Sequence, residues 1–128
     1  MKIVIINDQF NNKDGGAVLV AFNLAKGFVK KGHKVFVITT TQDKKKEEID
    51  KDFEDIKVYR LYVPYYHERW KSYLSLYNPK AVRKFKKVVR NIKPDIVHAH
   101  NIHYYLSYAC LKIAKKYSKA VFLTAHDA

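Results

Sequence analysis

The strongest constraint on how this chain folds lies in its first forty residues. Lys2-Ile3-Val4-Ile5-Ile6-Asn7 is an unbroken β-branched run, the pattern of a strand buried on both faces of a parallel sheet. Gly15-Gly16 then opens an amphipathic segment. Val18, Ala21, Phe22, Ala25, Phe28 and Val29 share one helical face, and Lys30-Lys31-Gly32 closes it with cations and a glycine stop. Val35-Phe36-Val37-Ile38 is a second buried run. Two such strands joined through a helix form a βαβ unit, with parallel strands and a right-handed crossover.

The pattern repeats. Asp43–Asp55 is dense in charge and reads as a solvated connection, with room for a short helical turn. Ile56–Leu61 reads as a third strand, its interspersed cations marking it as an edge. The stretch from Tyr65 to Leu76, rich in Tyr and holding Trp70, fits either a loop or a short helix. Asn78-Pro79 starts a helix, with Asn as cap and Pro at the first position. Val82, Phe85, Val88, Val89 and Ile92 form its buried stripe. Pro94-Asp95 stops it, and Ile96–His100 is a fourth strand. A helix with Leu106, Ala109, Cys110, Ile113, Ala114 and Tyr117 on one face leads to a fifth strand, Ala120–Ala125, followed by His126-Asp127-Ala128.

Alternating strands and helices imply an α/β fold: an open, doubly wound, Rossmann-like parallel sheet of five strands, order 3-2-1-4-5, with helices on both faces. The switch point falls between the first and fourth strands, and ligands of such sheets bind beyond the carboxyl ends there. Asn7 to Gly16, His100-Asn101 and His126-Asp127 land at that crevice.

Composition narrows the function classes. With 128 residues and no Pro/Gly/Ser-rich linker, a single domain is expected. No apolar run nears the roughly 20 residues of a membrane span, and no signal-peptide cleavage pattern follows Lys2, so a cytoplasmic location is expected. Cys110, the one cysteine, lies on an apolar helix face and reads as a small core hydrophobe. The net charge is +13, and Tyr65 to Lys93 carries nine Lys/Arg against Glu68 alone. That excess suits a polyanionic partner or a solubilising face. Arg83, Lys84, Lys86, Lys87 and Arg90 lie off the apolar stripe of their helix. From these, Arg83, Lys84, Lys87 and Arg90 are expected to face an anionic membrane, making the protein peripheral at the inner face of the cell membrane.

The candidate sites are not self-explanatory. Gly15-Gly16 is neither a dinucleotide fingerprint nor a Walker loop, since no GxGxxG and no Gly-Lys-Ser/Thr occurs. It serves either as a flexible link or as an anion cradle at a helix N-terminus. His98, His100 and His103 spell HxHxxH, yet no Cys or carboxylate follows directly at ligand spacing, so a metal is not expected. His98 reads as a core histidine and His100 as a crevice residue. His126-Asp127 is either a cap or a polar pair that contacts substrate. No nucleophile–base pair and no glycosidase carboxylate pair is recognisable. Tyr65, Tyr66 and Trp70 near basic residues leave nucleic acid as a less favoured partner.

Taken together, KIVIINDQF, GGAVLVAFNLAKGFVKKGHKVFVIT, KPDIVHAHN and VFLTAHD resemble the N-terminal domain of family-4 glycosyltransferases of the GT-B fold, over essentially all 128 residues. The resemblance implies a retaining transfer, of hexosyltransferase type, from a nucleotide-diphosphate sugar to a glycan, lipid-linked or small-molecule acceptor. No cofactor and no obligatory metal are implied; the nucleotide sugar is a substrate. It implies Gly15 and Gly16 near the donor diphosphate, His126 as the catalytic residue near the transferred sugar, and His100 and Asn101 on the acceptor side. Asp127 joins them as a substrate-binding candidate. Residues 1–128 then form a truncated acceptor-side domain, without the C-terminal donor-binding domain and inactive alone, since transfer needs both substrates held in one water-poor cleft. The alternative is a non-enzymatic α/β binding module whose basic face docks an anionic surface or nucleic acid.

Overall fold

The computed structural model describes residues 1–8, 17–53, 55–100, 102 and 105–124. The first strand, β1 (Lys2–Ile6), is followed by α1 (Ala17–Lys30) and β2 (Lys34–Thr41). Gly32, at φ 86°, turns the chain between helix and strand. After β3 (Glu48–Phe53) and β4 (Ile56–Tyr62) come a short 3-10 turn and α2 (Lys71–Leu76). The chain then runs through α3 (Pro79–Ile92), β5 (Ile96–Ala99), α4 (Ala109–Tyr117) and β6 (Ala120–Leu123).

One sheet holds all six strands in the order β3-β4-β2-β1-β5-β6. Within it β4, β2, β1, β5 and β6 are parallel neighbours, which is the expected five-strand order 3-2-1-4-5. The sixth strand is a correction to the sequence reading. Glu48–Phe53 is not a solvated connection; it pairs antiparallel with β4, so β4 is not the edge. Phe53 pairs with Ile56, and Asp55 takes φ 67°, a left-handed conformation that Asp tolerates, to reverse the chain. The charges of Asp43–Asp55 resemble those of a loop, yet an edge strand also accepts charge, so composition did not reveal this strand.

The pleat sorts the core into two layers. Ile3, Ile5, Val35, Val37, Ile56 and Val58 bury against Ala21, Phe22 and Ala25 of α1. Val4, Ile6, Phe36, Ile38 and Val97, on the opposite face, bury against Val82, Phe85, Val89 and Ile92 of α3 and Cys110 and Ala114 of α4. Asn78 caps α3 by accepting from the Ala81 N–H, Pro79 takes the first turn, and Lys93 ends the helix at φ 53°. On the face shared with α1, Phe122 of β6 remains 55% exposed.

Candidate functional site

The crevice forms where the connections diverge. From β1 the chain crosses through α1 to β2 on one side, and it later returns to lay β5 on the other. Beyond the last paired residues, the Asn7 N–H donates to Ile38 O (3.2 Å) and the His100 N–H to Ile6 O (2.9 Å). These bonds extend the sheet by one row, placing Thr39, Asn7 and His100 side by side at its carboxyl edge. All three are buried. Asn7 Nδ2 and Thr39 Oγ1 lie buried there without a hydrogen-bond partner, a state that costs about 1–3 kcal/mol for each such group.

The next residue, Asp8, is buried on the opposite side of the pleat. Its Oδ1 accepts from the N–H groups of Tyr105 (3.1 Å) and Leu106 (2.8 Å), binding the end of β1 to the turn before α4. Its carbonyl accepts from the Thr40 hydroxyl (2.7 Å) and the Thr40 N–H (3.2 Å). Tyr65 and Tyr66 pack edge-on against Tyr105, with ring centroids 6.3 and 5.6 Å away. Burial, and then the neighbouring Tyr65 and Asp8, push the Tyr105 phenol above its ordinary range. Asp8 falls within the Asn7–Gly16 segment expected at the crevice but is not singled out there; a carboxylate immediately past a buried strand was the available signal.

His98 and His100 stack, with centroids 4.5 Å apart and planes 27° apart. His98 Nε2 lies 2.6 Å from Thr124 Oγ1, joining the ends of β5 and β6. His98 is therefore a partnered sheet histidine, and His100 sits at the crevice floor. Among the described residues no three His, Cys, Asp or Glu side chains gather as a metal site. Gly15, Gly16, Asn101, His103, His126 and Asp127 lie outside the described residues.

The basic helix also sorts its cations. Arg83, Lys87 and Arg90 are exposed opposite the buried stripe of α3, and Lys80 extends their line. Lys84 turns aside instead. Its Nζ meets Glu47 Oε2 at 2.7 Å and Tyr62 O at 3.0 Å, so its charge is met within the protein. Sequence spacing could not show this, because Glu47 lies 37 residues away.

Comparison with known proteins gives this geometry a context. Residues 14–128 match the model of Glycosyltransferase Family 4. An uncharacterized 42.6 kDa protein in the cps region of Klebsiella pneumoniae is 31% identical over a 142-residue alignment, which takes in 99% of this chain and 37% of that protein. Sucrose-phosphate synthase from Thermosynechococcus elongatus superposes with a TM-score of 0.68 at 18% identity, over 98% of this chain and 33% of the synthase. The C-terminal domain of a Pyrococcus furiosus hydrogenase superposes at 0.51 with 16% identity, over 98% of this chain and 90% of that domain. A synthase and a hydrogenase domain thus share the architecture, so the fold by itself selects no chemistry. The chain spans little more than a third of the Klebsiella relative and a third of the synthase.

Proposed function

The chain belongs to glycosyltransferase family 4, and from that premise we propose that it forms the acceptor side of a retaining hexosyltransferase that uses a nucleotide-diphosphate sugar. The observation that carries the reading is the family match combined with the polar floor of Asn7, Thr39 and His100 at the β1/β5 switch point. Buried donors such as Asn7 Nδ2 suit an oxygen-rich ligand.

In this reading the bond from the anomeric carbon to the diphosphate breaks as a bond to an acceptor hydroxyl oxygen forms on the same face of the sugar, and the hydroxyl proton passes to the departing diphosphate oxygen. The departing diphosphate meets backbone N–H groups around Gly15 and Gly16 and the positive end of α1. His126 hydrogen-bonds the sugar or the leaving phosphate, while His100, Asn101 and Asp127 border the acceptor. The nucleotide is held by a second domain in the remaining length of the protein, no metal being required. Biosynthesis of a glycan or glycolipid is the process such a reaction serves.

The test uses the full-length protein and a panel of nucleotide sugars. Turnover should fall by about 10²–10³ in a His126→Ala variant of normal fold, the usual cost of losing a transition-state hydrogen bond. Titration with a nucleoside diphosphate should shift amide signals between residues 14 and 18. Silent amides, with no nucleotide sugar consumed, would overturn the proposal.

A further inference from the structure

Six of the nine exposed large hydrophobic residues among those described lie in one corner: Tyr65, Trp70, Tyr73, Leu76, Tyr77 and Tyr108. Four of them are gathered along α2: Trp70 (52% exposed) in the turn before it, Tyr73 (61%) and Leu76 (64%) one turn apart within it, and Tyr77 (47%), the extended residue that ends it. An apolar stripe normally turns toward the core; here these side chains face out, while the Tyr108 N–H, donating to Ser75 O at 2.7 Å, ties α2 to the start of α4.

The electrostatics of the adjoining layer are one-sided. Between Lys71 and Thr124 the sequence has twelve Lys/Arg and a single acid, Asp95. Asp95 is already engaged by the Lys2 N–H (2.8 Å) and by Lys119 Nζ (3.2 Å). α3 and α4 pack together on one face of the sheet, and neither contains an acidic residue. Lys80, Arg83, Lys87 and Arg90 form a straight outward line on α3, about 15 Å long at 1.5 Å per residue.

We propose that this corner docks on an anionic lipid surface, with the α2 stripe at headgroup depth and the α3 cations over the lipid charge. Tyr and Trp are the side chains that favour the membrane–water boundary, and Lys/Arg clusters supply the attraction to anionic lipid. Arg69 lies over the Trp70 ring at 5.8 Å, so a cation accompanies the aromatic group to that depth. A single-stranded nucleic acid would call for aromatics interleaved with cations along one groove. Here the aromatic stripe and the cation line occupy successive helices. The inference rests on this surface alone and stands whether or not the transferase reading holds.

Trp70 is the one tryptophan in these 128 residues, so the emission difference between the protein and its Trp70→Phe variant reports its surroundings. Vesicles of phosphatidylcholine with one third phosphatidylglycerol should shift that emission to the blue, and brominated lipid should quench it. Pure phosphatidylcholine should do neither, and high salt should weaken the effect. Each of Lys80→Gln, Arg83→Gln, Lys87→Gln and Arg90→Gln should lower partitioning about fivefold. Lys30→Gln, at the end of α1, should leave it unchanged. Tyr73→Ser with Leu76→Ser should weaken partitioning while preserving the circular dichroism spectrum. Equal partitioning into neutral and anionic vesicles would overturn the proposal, as would an unshifted Trp70. So would single-stranded RNA that displaces the protein from vesicles and quenches Trp70 itself, which would assign the surface to nucleic acid.

Discussion

Asp8→Ala should be among the most damaging single changes at the crevice, and the structure gives its size. Two backbone N–H groups converge on Asp8 Oδ1, that of Leu106 in a buried bond of 2.8 Å and that of Tyr105 in a part-buried bond of 3.1 Å. Alanine removes the acceptor and leaves both donors facing a small void. A buried donor without a partner costs about 1–3 kcal/mol, and the part-buried one, which water can reach, costs about 1 kcal/mol. The sum, about 2–4 kcal/mol, is a large share of the 5–15 kcal/mol typical of a whole domain. Asp8→Asn keeps an oxygen in the same place and loses only the charge on the acceptor, so about 1 kcal/mol is expected. Urea unfolding followed by circular dichroism measures both variants on the same axis. Alanine should shift the midpoint at least twice as far as asparagine, with an unchanged slope. Equal, small shifts would refute the assignment of Asp8 as the tie between β1 and the turn before α4. Equal, large shifts would mean that the charge, rather than the acceptor geometry, holds the turn.

Three further outcomes follow from the same geometry. Burial raises the Glu47 carboxyl, but the bonds from Lys84 and the Tyr62 N–H and the charges of Lys84 and Lys44 outweigh it, leaving it below its ordinary 4.5. The pair's stabilisation is therefore complete above about pH 4.5 and fades as pH falls through the lower folded value. Lys84→Met should flatten that acid limb in a melting-temperature series, by under about 1 kcal/mol for so exposed a pair. Phe85→Ala, at the fully buried centre of α3, should cost about 3–5 kcal/mol by urea titration. Burial and the nearby Asp8 push the Cys110 thiol far up, and its Sγ donates to Leu106 O at 3.0 Å. A thiol reagent at pH 8 should therefore leave the folded protein unlabelled and label it fully in denaturant.

Much of the fold was legible because it is written locally. The runs at Ile3–Ile6, Val35–Ile38 and Ala120–Leu123 announce strands, and the α3 stripe at Val82, Phe85 and Val89 announces a helix. Their alternation dictates parallel pairing and hence the switch point where Asn7 and His100 meet. What the tertiary structure alone decided concerns residues remote in the chain. Whether Glu48–Phe53 forms a strand depends on the open edge that β4 offers, not on its own charged composition. Whether Lys84 faces outward depends on Glu47, 37 residues earlier. Asp8 finds its donors at Tyr105 and Leu106, nearly a hundred residues later. Periodicity shows which side of an element is apolar, because that property repeats every two or 3.6 residues. Hydrogen bonds and ion pairs need atoms within about 3 Å, and only the assembled sheet with its packed helices brings those atoms together.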